Sequence, residues 1–447
     1  MTLTTRIPRR NPVASVSSTS RAPLVDRDLP AWPVLALLWG GPLWWASGLL
    51  PFASMIFAVP MIAFLVRRGR IGVLPGMLPL VALFAWTIPC ALMLDAPSRL
   101  LGFMLGASQL ASVVIVLFYV VNAGRTLTTG RLLGALTFTW VFIIVGGYLG
   151  MLWPDTVLTA TVGQLLPPSL RTNEYISDLL FPPFAEVQNP YGAAQPFLRP
   201  SAPFAYTNGW GAGIALLTPV AIATAARLGT TRAKVLLSIG ILAAIPPAIA
   251  TSNRGLFLGF AAALAWVLIR LVFRQHWKPV LAVVGLSAIG AFALSSLGLL
   301  SAIAERQDTV DTTAGRGALY LETFQRTLLS PILGYGSPRP SYTIEVSAGT
   351  QGMIWEYMFS FGFVGLALLM IFFGGVILRT WAAPTIWHLW LHAMLVAACV
   401  LSVFYGLDRH LVPIVIVAAI LLRDRYAGRL KSEPEPGTLR SPVPTVA

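Results

Sequence analysis

Long apolar runs dominate the chain, and their lengths set the expected elements. Runs of about 20 mostly apolar residues recur between Trp32 and Leu422, separated by short polar or Pro/Gly breaks. They show no sustained period-two alternation, so they read as helices rather than barrel strands. The breaks place twelve helices near 32–48, 50–66, 73–93, 100–123, 132–152, 207–226, 233–250, 255–273, 279–300, 353–378, 385–405 and 409–422. A hydrocarbon core offers no partner to backbone N–H and C=O groups, and a helix satisfies its own. The expected fold is all-α, a polytopic transmembrane helical bundle of about twelve helices over residues 31–428. Residues 1–30, rich in Ser, Arg and Pro, contain no apolar core and are not a cleavable signal. They and residues 429–447 read as disordered tails.

Composition agrees. Hydrophobic residues make up 56% of the 447 and charged residues 11%, too little charge to cover a soluble protein of this size. The net charge of +14 raises nucleic acid as a partner, but most Lys and Arg fall in short loops and tails, with no basic soluble module to carry such binding. Every second loop is basic: Arg67, Arg68 and Arg70; Arg125 and Arg131; Arg227, Arg232 and Lys234; Arg270, Arg274 and Lys278; Arg379. The positive-inside bias then puts both termini in the cytoplasm. Cys90 and Cys399 lie inside apolar runs and read as small core residues. His388 and His392 share a helix face but have no carboxylate or thiol neighbour in sequence, so packing is the better reading than metal binding.

Two outer loops are long, near 153–206 and 301–352. The first is rich in Pro and aromatic residues. The second holds an amphipathic helix near 314–330, with Leu321, Phe324 and Leu328 on one face. Loops of this length in a compact protein usually carry function. Ionisable residues are nearly absent from mid-span, Glu356 near an outer helix end being the main exception, so polar chemistry collects at the outer rim. No internal repeat is visible, which counts against an inverted-repeat transporter.

Several outer helix starts carry Arg. Thr251-Ser252-Asn253-Arg254-Gly255 combines a capping Ser or Asn with a guanidinium. Thr312-Thr313-Ala314-Gly315-Arg316-Gly317 repeats the theme, Asp408-Arg409-His410 opens the last helix, and Arg199-Pro200-Ser201 leads towards Asn208-Gly209-Trp210-Gly211. A helix N-terminus with Arg beside it suits an anion, and a lipid-linked pyrophosphate lies at that depth. The competing reading pairs these arginines with nearby acids or lipid phosphates.

In the order of these parts the chain resembles the O-antigen ligase and polymerase superfamily, multi-helix membrane glycosyltransferases of the GT-C type. The matching pieces are Arg199-Pro200 through Gly211, Ser252-Asn253-Arg254-Gly255, Gly315-Arg316 with Pro331-Ile332-Leu333-Gly334-Tyr335-Gly336, and Gln351-Gly352 with Gly362-Phe363-Val364-Gly365. They span about residues 195–380. The resemblance implies a bacterial-type plasma membrane and polysaccharide assembly in the cell envelope. The implied donor is a saccharide on polyprenyl pyrophosphate, passed to a glycan or lipid acceptor. The implied catalytic candidates are Arg254, Arg316, Glu345, Glu356 and His410; substrate-binding candidates are Arg199, Asn208, Trp210, Asn253, Tyr320, Arg326, Gln351 and Arg409. Where the family often has His-Asn this chain has Gln351-Gly352, and Gln cannot act as a base. That role passes to Glu345, Glu356, His410 or Asp311. No cofactor is expected; Asp308 and Asp311 have a spacing that suits a divalent metal, but two such acids are more often simply solvated. The rival readings are a transporter or flippase of lipid-linked saccharides and a non-catalytic assembly subunit.

Overall fold

The structure, a computed structural model, describes residues 28–168, 174–188, 197–296, 312–342 and 346–426. Among these residues it is mostly helical, with two short two-stranded sheets. The helices are α1 (Trp32–Trp39), α2 (Gly41–Ala46), α3 (Ala53–Arg68), α4 (Leu78–Cys90), α5 (Leu100–Asn122), α6 (Thr129–Leu152) and α7 (Glu174–Leu180). They continue as α8 (Thr207–Leu228), α9 (Thr231–Thr251), α10 (Arg254–Phe273), α11 (Trp277–Ser296), α12 (Thr312–Leu329), α13 (Met353–Arg379), α14 (Ile386–Leu401) and α15 (Leu411–Tyr426). Among the described residues, seven helical segments are long and apolar enough to cross a membrane: Leu50–Arg68, Pro97–Asn122, Thr129–Leu152, Thr207–Leu228, Thr231–Thr251, Arg254–Phe273 and Met353–Arg379. Leu78–Met93, Val280–Gly290 and Ile386–Leu401 are shorter apolar helices. The protein is therefore a helical membrane protein.

Helix starts follow local capping chemistry. Thr128 and Thr230 accept backbone N–H groups at the starts of α6 and α9, which begin two or three residues earlier than apolar patterning predicts. The run expected as one helix over 32–48 is instead α1 and α2, divided at Gly40.

Helix α8 lies at the centre, with the highest buried share of the seven spans, and packs on α6, α10 and α14. Its sequence is rich in Gly, Ala and Thr, which lets neighbouring backbones approach closely. Helices α14 and α15 are also almost wholly buried. Helix α9 exposes most of its apolar surface, as a lipid-facing helix does.

Helix α13 is broken at Gly362, whose φ of 69° favours glycine. The segment Pro331–Gly336 plugs the break. Tyr335 N and Gly336 N donate to the Phe359 and Ser360 carbonyls at 2.9 and 2.8 Å, Phe363 N donates to the Pro331 carbonyl at 2.8 Å, and Trp86 Nε1 donates to the Phe361 carbonyl at 3.0 Å. Each of these groups would otherwise be unsatisfied in an apolar setting. The Pro331–Gly336 and Gly362–Gly365 motifs are thus two halves of one structural joint.

The long segments between spans are folded. β1 (Ala185–Gln188) pairs antiparallel with β2 (Phe197–Pro200), and β3 (Arg339–Pro340) pairs with β4 (Ser347–Ala348). The amphipathic helix exists as α12, but Leu321, Phe324 and Leu328 point outward while Leu319, Glu322, Thr323, Arg326 and Thr327 are buried. Its polar stripe packs on the protein because Arg326 and Glu322 satisfy each other there at 2.9 Å.

Candidate functional site

Three segments far apart in sequence meet around Asn253. This residue caps α10: its Oδ1 accepts from Gly255 N at 3.0 Å and Leu256 N at 3.2 Å. The same oxygen accepts the Tyr405 hydroxyl at 2.7 Å, and Tyr405 in turn accepts from Gly255 N at 3.0 Å. Asn253 Nδ2 donates to the Thr207 carbonyl at 3.2 Å, joining the start of α8. Two glycines make the junction possible. A methyl on Gly211 would overlap the Asn253 side chain, and one on Gly255 would overlap the Tyr405 ring. Glu186 on β1 accepts from Thr207 N at 2.8 Å, a carboxylate at the positive end of α8.

Arginines surround this knot. Arg316, Arg199 and Arg254 all act through space on the Tyr405 hydroxyl, so they share one electrostatic neighbourhood although they lie on α12, β2 and α10. Arg199 Nε is committed to the Thr251 carbonyl at 2.7 Å. Arg254 is exposed and Arg316 half-buried, and neither guanidinium meets a hydrogen-bond acceptor or ion-pair partner among the described residues. Burial pushes the Tyr320 hydroxyl up from its ordinary range, against the nearby Arg316 charge. Tyr320 stacks on Trp355 at 4.4 Å and donates to the Gln351 carbonyl at 3.1 Å.

Beyond Tyr405 a cavity of about 400 Å³ opens. Asn208, Tyr405, Gln351, Arg409, His410 and Asp178 are among its polar lining residues. Its apolar lining includes Leu37, Leu38, Ile143 and Leu217. It also reaches Thr139, roughly 20 Å along α6 from the Leu152 end at 1.5 Å per residue. A mostly apolar pocket with a few placed polar groups is the usual form of a small-molecule site.

Beside the cavity, the Glu356 and Asp408 carboxyls are buried close neighbours, and Tyr357 lies near Asp408. Burial pushes the Asp408 carboxyl up, against the pull of Arg409. Arg409 donates to the Pro51 carbonyl at 2.9 Å.

The sequence candidates therefore separate into groups. Arg199, Asn253, Arg254 and Arg316 converge near Tyr405, while Asn208, Gln351, Arg409 and His410 line the adjoining cavity. Glu356 lies against Asp408. Trp210 is fully buried core, its Nε1 donating to the Ile143 carbonyl at 2.8 Å. Arg326 is buried against Glu322 and the Pro340 carbonyl and stacked over Tyr342 at 4.3 Å, so its donors face the protein. Glu345, Asp308 and Asp311 lie outside the described residues. Among the described residues no three His, Cys, Asp or Glu side chains group to hold a metal ion. His388 and His392 are engaged elsewhere, His388 with Thr385 and Asp424, His392 with Trp266 and the Ile377 carbonyl. Sequence reasoning missed Tyr405 and the partnership of Asp408 with Glu356. Tyr405 carries no motif, since its part in the site comes wholly from the approach of Gly255. No protein-family model matches the chain, and no curated protein does either.

Proposed function

We propose that this chain is a membrane glycosyltransferase that takes a saccharide from a polyprenyl-pyrophosphate donor and joins it to a glycan or lipid acceptor at the non-cytoplasmic face, in cell-envelope or capsular polysaccharide assembly. The observation that carries it is the pair Arg254 and Arg316, two guanidiniums without a hydrogen-bond or ion-pair partner among the described residues, both acting on Tyr405, which lines a cavity of mixed polar and apolar residues. Unpaired guanidiniums set around one point suit a multiply charged anion. Pyrophosphate gains negative charge as it leaves, and preorganised donors lower the barrier by meeting that charge. The reading needs no cofactor. It carries with it twelve membrane crossings, cytoplasmic termini and a plasma-membrane location, because the basic loops then share the inner side.

The test is glycan transfer by purified protein from polyprenyl-pyrophosphate oligosaccharide to a panel of glycan and lipid acceptors, with Arg254→Ala and Arg316→Ala beside wild type. Transfer by wild type that both variants lose, with unchanged melting behaviour, supports the proposal. Donor binding without turnover by wild type moves the assignment to a flippase or assembly subunit. Full activity in both variants overturns the site.

A further inference from the structure

Helix α12 is built inside out. From Gly317 to Leu329 its exposed positions carry no charge, and Leu321, Phe324, Leu328 and Leu329 are the large ones. Leu329 is 81% exposed, and Ile332 just beyond the helix is exposed as well. The polar side chains Glu322, Thr323, Arg326 and Thr327 are buried, with Arg326 and Glu322 paired at 2.9 Å. A helix on a water-facing surface has the opposite arrangement, apolar stripe inward and charges outward. Ionisable residues that face the protein and pair with one another, under an apolar outer face, are the arrangement of a helix in lipid.

Two rulers give the depth of this helix. Tyr320 stacks on Trp355 near the start of α13, and Phe324 meets Phe363 edge-on at 6.1 Å, so α12 descends along α13 in the same direction. Just past its end, the Pro331 carbonyl accepts from Phe363 N at the break in α13. Gly362 at that break lies nine residues below Met353, roughly 14 Å along the helix. The second ruler is α4 and its short extension, the apolar helix Leu78–Met93. Trp86 bonds the Phe361 carbonyl, and it lies seven residues below Met93, again roughly 10 Å. The polar rim is marked where the chain comes back. Arg339 donates to the Met93 carbonyl at 2.9 Å and pairs with Asp95 at 3.3 Å. Half of a hydrocarbon core is about 15 Å thick, so a descent of this size from the rim ends among acyl chains.

We propose that α12 is a re-entrant membrane helix whose face of Leu321, Phe324, Leu328, Leu329 and Ile332 contacts the phospholipid acyl chains of one leaflet, on the side of the bundle that carries the Asn253 knot. Non-helical backbone at that depth is tolerated only where protein satisfies it. Here the turn at Pro331–Gly336 exchanges hydrogen bonds with Phe359, Ser360 and Phe363, which meets that condition. Lipid is the occupant because the neighbouring surface of α4 is of the same kind: Ile88 and Leu92, 64% and 83% exposed, flank the level of Trp86. The segment expected as an outer loop over 301–352 thus dips into the bilayer between Arg316 and Arg339. The inference does not depend on the transferase reading. It sets Arg316, roughly 18 Å along α12 from Leu328, at the level of the lipid headgroups.

The first experiment uses wild-type protein in nanodiscs of phosphatidylethanolamine and phosphatidylglycerol. One sample includes a phospholipid with a diazirine near the end of its acyl chain and is photolysed. A second is exposed to hydroxyl radicals generated in the water. Both are read residue by residue by peptide mass spectrometry. Leu165, an 85% exposed leucine in the segment after α6, is the water-side standard. Leu328, Leu329 and Ile332 are expected to take the lipid label, and Leu329 to escape the oxidation that Leu165 undergoes. Oxidation of Leu329 to the extent of Leu165, without lipid label, puts α12 in water and overturns the proposal. Protection from both reagents means that protein, such as a second copy of this chain, covers the face, and overturns it too. The second experiment measures depth with a nitroxide on Leu328→Cys or on Ala318→Cys, with wild type giving the background from Cys90 and Cys399. The label at 328 is expected to collide more often with oxygen, which concentrates among acyl chains, than with a water-soluble nickel chelate. The label at 318 is expected to show the reverse. The same ratio at both positions means that α12 lies flat on the surface and overturns the re-entrant path.

Discussion

At one end of the bundle Arg68 donates to the Asn122 carbonyl at 2.7 Å, Arg270 to that of Trp381 at 2.7 Å, and Arg423 to those of Leu127 and Val120 at 2.8 and 3.2 Å. Arg274 donates to the Ala382 and Ala383 carbonyls. At the other end Arg254 and Arg316 have no such acceptor among the described residues. The residue type is the same, and the difference is in what surrounds it. A helix C-terminus leaves carbonyls without intrahelical partners, and Arg is a natural donor to them. Arg254 instead starts a helix, where the nearby unpaired groups are N–H donors and Asn253 already serves two of them. Arg199, Arg326 and Arg409 at the loop end do donate to backbone carbonyls, so Arg254 and Arg316 stand apart even there.

The largest effect that would sharpen this contrast is on activity. Arg254→Ala or Arg316→Ala is expected to cut transfer by about 10²–10³-fold, the scale of losing one oxyanion donor. A fall of less than tenfold in both would break the comparison. Next comes stability at the basic end. Arg423→Ala strands the Val120 and Leu127 carbonyls and should cost about 1–3 kcal/mol, read as a lower unfolding midpoint in detergent or nanodisc. The Asn253 knot lies between the two ends in kind, structural in role but part of the site. Asn253→Ala removes the α10 cap and is expected to cost about 1–2 kcal/mol and to lower activity as Tyr405 shifts. Asn253→Ser should restore most of the stability, because Ser also caps, without the bond to Thr207. The smallest effect is the stability change in Arg254→Ala, expected within about 0.5 kcal/mol of wild type because an exposed unpaired side chain is lost. A midpoint loss as large as that of Arg423→Ala would show that Arg254 closes the structure after all.

Much of the frame was legible because apolar periodicity and capping are local. The spans over 100–123 and 353–378 agree with α5 and α13 to within a residue, and of the two expected caps, Ser252 and Asn253, it is Asn253 that caps α10. The motif order around Pro331–Gly336 and Gly362–Gly365 was also visible, but not its meaning. That the first plugs a broken helix in the second follows from hydrogen bonds across about 30 residues, which no local pattern encodes. For Arg326 and Trp210 the sequence offered polar or aromatic residues near motifs. Packing then enclosed both, Arg326 by Glu322 and Trp210 by the Ile143 carbonyl.

Hydrophobic runs and their breaks thus determined that the chain is a helical membrane protein, and residue type at the helix starts determined where anionic chemistry was to be sought. Which arginines have no partner among the described residues, and which carboxyl lies against Glu356, were decided by tertiary contact. The physical reason is range. Helix formation and capping depend on residues within about four positions, whereas a side chain's unsatisfied hydrogen bonds depend on whatever distant segment folding brings beside it.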